Sequence, residues 1–295
     1  MIVGVMKLQV ATGLQTICVS YGDVLFRAWK EIKDPNLNAS IEDIIQSFVH
    51  DAIHAAESHY FDGIRAVLRA FHGSKRLKEV DSLLLKVYGP ILWRSLKCAN
   101  YLVRVQASTL FFDAFPIQDG NPATSPGDND NLLQRQFELQ KNLLEDADHR
   151  VRAIAASGVC RVLKDFWEAV PPETTHKFLS YIAGRLGIDA SSALVREAAI
   201  HGLCEVLDNP RSHASMKTLL PAIANSIHDV SERVRAGFVK ILCKVLLRYV
   251  NLLFSLVNLL LLFMIRLKQF EDFCFMKLFH WIYCCCDLLL MQRKN

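Results

Sequence analysis

LLEDADHRVRAIAASGVCRVL, residues 143–163, recurs along the chain with its apolar positions kept and most others changed. SIHDVSERVRAGFVKILCKVL (226–246) repeats it residue for residue in pattern, and RLGIDASSALVREAAIHGLCEVL (185–207) repeats it with one more residue in the turn. SLKCANYLVRVQASTLFFDAF (95–115) is a fourth copy. Aligned on the Val-Arg pair, the arginines are Arg104, Arg152, Arg196 and Arg235, spaced 48, 44 and 39 residues apart. From Val103, Val151, Val195 and Val234, the position four later holds Ala107, Ala155, Ala199 and Phe238, and eight later Phe111, Val159, Leu203 and Leu242. Eleven later come Ala114, Val162, Val206 and Val245. Offsets of 0, 4, 8 and 11 trace one face of an α-helix. Three of the four residues at offset four are alanine, which predicts close helix approach.

A period near 40–47 residues with two helices per unit marks a HEAT or armadillo array. The expected fold is therefore all-α, an α-solenoid of stacked antiparallel helix pairs. Five or six residues before the column valine stand Asp146, Asp189 and Asp229, where a turn-forming, helix-capping residue is expected. The first copy departs, with Cys98 in that column and Asn100 nearby. The pattern resembles the HEAT repeat, and the resemblance implies a structural ladder between neighbouring units. Its members here would be Arg104, Arg152, Arg196 and Arg235 with Asp146, Asp189 and Asp229, as scaffold rather than catalysis.

Composition agrees with helices throughout. Apolar residues make up 52% of the 295, while Gly (13) and Pro (9) are sparse and no strand-like alternation occurs. The formal charge is +4, and residues after 250 carry five basic against three acidic groups, so the repeat region is nearly neutral. Nucleic-acid contact would need a local stripe, not net charge. Nine cysteines contain no CxxC spacing, so neither a zinc site nor a disulfide framework is indicated. Cys160, Cys204 and Cys243 fall inside expected helices as packed thiols. The opening MIVGVMKLQVATGLQTICVS has no basic segment before its apolar stretch and reads as a first helix.

In order, residues 1–33 read as helical, and SIEDIIQSFVHDAIHAAES (40–58) follows, started by Ser40 with Asp43 three later. FDGIRAVLRAFHGS (61–74) ends at Gly73, and a long helix to about Leu96 contains Pro90, which should kink or split it. PIQDGNPATSPGDNDN (116–131) reads as a surface loop. Helix pairs are expected at 132–145 with 148–166, 173–187 with 191–207, and 215–228 with 231–249. Pro171, Pro172, Pro210 and Pro221 are placed at or near helix starts. The solenoid domain is set at 1–250.

Residues 251–295 change character: twelve Leu, six Phe and four Cys, with no Ala, Gly, Pro or Thr. The uncharged run 249–265, flanked by Arg248 and Arg266, falls just short of the ~20 residues a spanning helix needs. A membrane anchor, a core helix and sequence foreign to the array are the three readings of this atypical hydrophobic tail. The anchor reading would make the chain a membrane-anchored helical adaptor. Cys284, Cys285 and Cys286 would be acylation candidates only in that case.

No glycine-rich phosphate loop, no GxSxG and no catalytic constellation occurs, and no cofactor is implied. His50 and His54 share a helix face at the spacing of an HExxH zinc pair, with Asp51 where the glutamate belongs; solvent-facing histidines are the simpler reading. Lys240, Lys244 and Arg248 follow at i, i+4 and i+8, and Arg161 and Lys164 sit near the same place in an earlier unit. Stacked units would align them as a basic stripe that contacts DNA without sequence preference.

Longer stretches go beyond a generic repeat. LFRAWK (25–30), KVYGPILWRSLKCANYLVRVQASTLFFDAFPIQD (86–119), LLEDADHRVRAIAASGVCRVLKDFWEAVPP (143–172) and LDNPRSH (207–213) resemble the G-class non-SMC HEAT subunit of condensin II. SIHDVSERVRAGFVKILCKV (226–245) continues the likeness, and Trp93, Phe115-Pro116 and Phe166-Trp167-Glu168 are its more discriminating points. The resemblance implies a nuclear scaffold subunit in mitotic chromosome condensation. Its partners would be the kleisin subunit, SMC ATPases reached through it, and DNA or chromatin. It carries over no individual binding residue. The family protein is several times longer, and the likeness stops near Leu246.

Overall fold

The computed structural model describes residues 2–246 apart from 13, 76 and 122–124. Met1–Ile241 form one compact unit; of the second, which begins at Leu242, residues 242–246 are described and are helical. No strand occurs among the described residues.

The helices are α1 (Ile2–Ala11), α2 (Gln15–Glu31), α3 (Pro35–His54), α4 (Ser58–His72), α5 (Lys78–Ser95), α6 (Tyr101–Ala114) and α7 (Pro126–Leu144). They continue as α8 (His149–Asp165), α9 (Pro172–Tyr181), α10 (Ala193–Val206) and α11 (His213–Ile223), and a further helix, α12, begins at 232. A π turn, Ile182–Leu186, extends α9, and a 3₁₀ turn, Ala224–His228, extends α11.

Two layers result. Helices α2, α4, α6, α8 and α10 pack side by side in one, with α3, α5 and α7 in the other, each against the even helix that follows it, and α9 meets α10 through the π turn that extends it. The repeated columns are the seam between layers. Val151, Val195 and Val234 have no exposed surface, nor have Ala107, Ala155, Ala199, Phe111, Val159 and Leu203. Each fully buried Val, Leu or Phe of these columns contributes roughly 1.5–3 kcal/mol to the packing between helices, and each alanine less. Closeness within the even layer is set by missing side chains: a Cβ on Gly202 of α10 would come within 2.7 Å of the Cys160 sulfur on α8.

Several boundaries differ from the sequence expectation. The helical first 33 residues are two helices, α1 and α2, with Leu14 extended at the start of the second. Helix α3 starts five residues earlier than Ser40, because Asp34 accepts the Asn36 N–H at 2.9 Å and Pro35 stands at the first helical position. Ser40 instead lies inside the helix, its hydroxyl donating to the Asn36 carbonyl. Pro90 neither splits nor ends α5; buried Val87, Tyr88, Ile91 and Leu92 on either side pack the helix through it. The loop after Phe115 is shorter than 116–131, since Ser125 caps α7 and Pro126 and Asp128 occupy its first turn, where a proline and an acid are favoured. Pro221 sits inside α11 rather than at a start.

The turn before α8 also differs in detail. Asp148, not Asp146, is the cap, accepting the Arg150 N–H at 2.9 Å. In the first copy Asn100 takes that role toward the Leu102 N–H. Cys160 and Cys204 are packed, whereas Cys243 is exposed. An aromatic cluster ties α5, α6, α7 and α8 together: Phe111 lies 6.2 Å from Trp93, and Phe115 lies 6.2 Å from Phe137 and 5.6 Å from Phe166. The Phe115–Pro116 peptide is cis, and Gln136 of α7 grips the next residue by accepting the Ile117 N–H and donating to its carbonyl.

Candidate interaction surface

Arg104, Arg152 and Arg196 are each held twice, by their own turn and by the next, and Arg235 by its own turn. Arg152 Nη1 donates to the carbonyls of Asp146 and Ala147 in its own turn, while Nη2 reaches Asp189 of the next turn at 3.0 Å. Arg104 does the same, to the Cys98 and Ala99 carbonyls and, through two parallel 2.8 Å bonds, to Asp146. Arg196 donates to the Asp189 carbonyl and, bidentately at 2.6 and 2.9 Å, to Asp229. Arg235 grips the Asp229 and Val230 carbonyls. The acceptor aspartates are fixed in turn by backbone N–H groups: Asp148 on Asp146, Ser191 on Asp189 and Ser231 on Asp229. The paired hydrogen bonds from Arg196 hold the Asp229 carboxyl below its ordinary range against burial, helped by the Ser231 N–H and the Arg235 charge. Both partners of each pair keep under a fifth of their side-chain surface, so these bonds are poorly screened.

Ten residues after the column valine the four copies carry Asp113, Arg161, Glu205 and Lys244, alternating in sign. Asp113 of α6 is the centre of a cleft on the even-helix layer. Its Oδ1 accepts from Arg65 Nη2 on α4 at 3.0 Å and from Arg161 Nη2 on α8 at 3.1 Å, and Arg65 Nε also bonds the carboxylate. Burial works to raise this carboxyl, but the Arg65 bonds and the charges of Arg65 and Arg161 outweigh it and hold the group below the usual range. Lys75 donates to the carbonyls of Ala114 and Pro116, and burial brings its ammonium down to about 8. His72 shares a 2.9 Å hydrogen bond with the Tyr88 hydroxyl, and burial pushes its imidazole down to about 4, against the pull of Asp113. At neutral pH it is uncharged. The recess holds about 430 Å³, with Arg69 on its rim and Phe112, Phe115 and Phe166 in its walls.

A second hollow of about 670 Å³ shares Arg65, Phe112, Asp113 and Arg161 with the first. It runs across α6, α8 and α10 over a floor of small and apolar side chains, Val105, Ala153, Ser157, Gly158 and Ala198 among them, with Arg150 at its edge. Arg150 stacks on the Tyr101 ring at 3.8 Å.

Arg161 is engaged with Asp113, and Lys164 lies 3.8 Å from Asp208. Lys240 is exposed on α12, Lys244 falls in the second unit, and Arg248 lies outside the described residues, as do the 249–265 run and Cys284 to Cys286. The cleft residues Arg65, Arg69, His72 and Lys75 were missed because they precede the four aligned copies. The charge alternation at offset ten was the signal available. No described helix is long and apolar enough to cross a membrane. His50 and His54 have ring centroids 4.7 Å apart, and no group of three His, Cys, Asp or Glu able to hold a metal occurs among the described residues.

Residues 1–119 match the family described as the condensin II non structural maintenance of chromosomes subunit. Condensin-2 complex subunit G2 of Mus musculus is 40% identical over 240 residues, covering 81% of this chain and 21% of that protein. The same subunit of Homo sapiens is 39% identical over 247 residues, covering 83% of this chain and 21% of that protein. The chain thus spans about a fifth of the length of the curated relatives it matches. A designed armadillo repeat protein is 15% identical with a TM-score of 0.43, over 81% of this chain and 98% of that one. The helix pairs described above carry the fold assignment without that likeness. The resemblance to the condensin II HEAT subunit is a sequence relationship over about four-fifths of this chain.

Proposed function

We propose, from its kinship with condensin-2 G2 subunits over about four-fifths of its length, that this chain is a non-catalytic docking scaffold of the condensin II type. In that role it binds the kleisin subunit, and through it the SMC ATPases, and contacts DNA in the nucleus during chromosome condensation. The kinship is the observation that carries the reading. The fold supports it: residues that vary little in the repeats lock unit to unit, which leaves the even-helix face as a rigid platform for a partner segment. An extended chain fits the hollow over α6, α8 and α10, whose small floor residues let a backbone approach closely.

The test is co-purification of the full chain with the condensin II kleisin, followed by duplex DNA binding at about 50 and 200 mM salt. Kleisin capture, with DNA retention that falls steeply between the two salts, is the expected result. A folded helical protein that captures neither overturns the scaffold reading for this stretch.

A further inference from the structure

We propose that the cleft framed by Arg65, Arg69, Lys75 and Arg161 is a recognition pocket for a phosphorylated serine or threonine on an extended peptide, whose flanking residues lie in the adjoining hollow over α6, α8 and α10. This goes beyond the scaffold reading and does not depend on which subunit the chain docks.

Charge comes first. Four cations and two carboxylates, Asp113 and Asp165, line the recess, and the imidazole among them is neutral, so the lining is net positive, an excess that Asp62 and Asp81, acting on Arg65 and Lys75 from beyond the lining, offset in part. A phosphomonoester brings about −1.5 to −2 with three strong acceptor oxygens, whereas a glutamate side chain brings half that. Donor capacity agrees. Asp113 takes two of the five N–H donors of Arg65 and one of Arg161, which leaves the greater part of both forks for a second anion. Asp113 is a positioning residue here. By bonding both guanidiniums through one oxygen, it fixes forks from α4 and α8 around the same point before any ligand arrives, which lowers the ordering cost of binding.

Shape separates a peptide from a nucleic acid. The cations converge in one recess walled by three phenylalanines and interrupted by two carboxylates, where a duplex would need them spread along its backbone. The recess also opens into a hollow with which it shares four lining residues, and that hollow has a floor of small side chains suited to a strand of peptide.

The test uses the full chain and three libraries of short peptides, random except for a fixed central phosphothreonine, threonine or glutamate. The wild-type protein is expected to retain the phosphothreonine library about tenfold better than the others, with inorganic phosphate competing. Arg69→Glu and Arg161→Gln should each abolish that preference. Arg69 is exposed and serves as the variant expected to leave folding intact, checked by circular dichroism. Equal retention of the three libraries, or a preference indifferent to both variants, overturns the proposal. So does a loss confined to duplex DNA binding in those variants, which would assign the cleft to a nucleic-acid path.

Discussion

Arg152 and Asp189 are 37 residues apart in sequence and 3.0 Å apart in space, joined across the boundary between successive helix pairs. The same guanidinium holds its own turn through the Asp146 and Ala147 carbonyls, so a single side chain fixes both the shape of one turn and its distance to the next. Asp146 in turn receives Arg104, which makes the contacts a continuous series.

Replacing Arg152 by alanine leaves the shielded Asp189 carboxylate short of its cation and two turn carbonyls short of a donor. The expected cost is about 2–3 kcal/mol, seen as a lower urea midpoint. Arg152→Lys should recover only part, because an ammonium cannot reproduce the fork. Arg233→Ala, at a pair 3.8 Å long whose arginine is 78% exposed, should change the midpoint little. A loss of equal size at both positions would mean that the ladder contributes no more than a surface pair.

How far such contacts could be read beforehand depended on whether they repeat. The ladder arginines recur at a fixed offset from a column valine, with aspartates five or six residues before it in three copies, so alignment of the chain with itself put Arg104, Arg152, Arg196 and the aspartates in register, and the resemblance to the HEAT repeat implied their pairing. Helix ends do not recur in that way. Asp34-Pro35 outcompetes Ser40 as a start because a side-chain cap and a preset φ act at one place, and both residues are local to that turn. The Asp113 cleft was least legible. Its arginines come from α4 and α8, on either side of α6, and Arg65 belongs to no aligned copy.

Gly202 tests the packing of the even layer. A methyl group there meets the Cys160 sulfur and Cβ at 2.7 and 2.8 Å, closer than side-chain atoms pack. Gly202→Ala should cost about 1–3 kcal/mol in spite of alanine's better helix propensity. Trimming the obstacle with Cys160→Ala in the same chain should return part of that loss, a coupling that thermal melts of the two single variants and the double variant will show. Strict additivity would place the two residues out of contact.

Asp113→Asn removes the one negative charge between Arg65 and Arg161 while keeping the shape of the side chain. Two guanidiniums, each more than a third exposed, then face each other across a neutral amide, and the expected destabilisation is about 1–2 kcal/mol after solvent screening. Raised salt should reduce the difference from wild type in chemical melts, because added ions screen the arginine repulsion that the substitution exposes. A salt-independent difference would point to lost hydrogen bonding alone.

His72 gives the molecule a pH dependence at mildly acidic values. Its imidazole titrates at about 4 in the fold against an ordinary 6.5, with burial as the main cause and Lys75, Arg65 and Arg161 acting in the same direction against Asp113. Between those values the unfolded chain binds a proton that the folded chain does not. The contribution of His72 is therefore present above pH 6.5 and is lost progressively as the pH falls toward 4, in all about 3 kcal/mol. The carboxylates act in a separate window: Asp148, held at about 2 chiefly by its Arg150 hydrogen bond, and Asp229 lose their contribution only below 3.8. His72→Gln keeps a hydrogen-bonding partner for Tyr88 but cannot titrate. Urea midpoints measured between pH 7 and pH 4 should fall more steeply for the wild type than for this variant. Parallel slopes would show that His72 takes up its proton in the fold as readily as in the unfolded chain, which would add a fifth positive charge to the cleft below about pH 6.5.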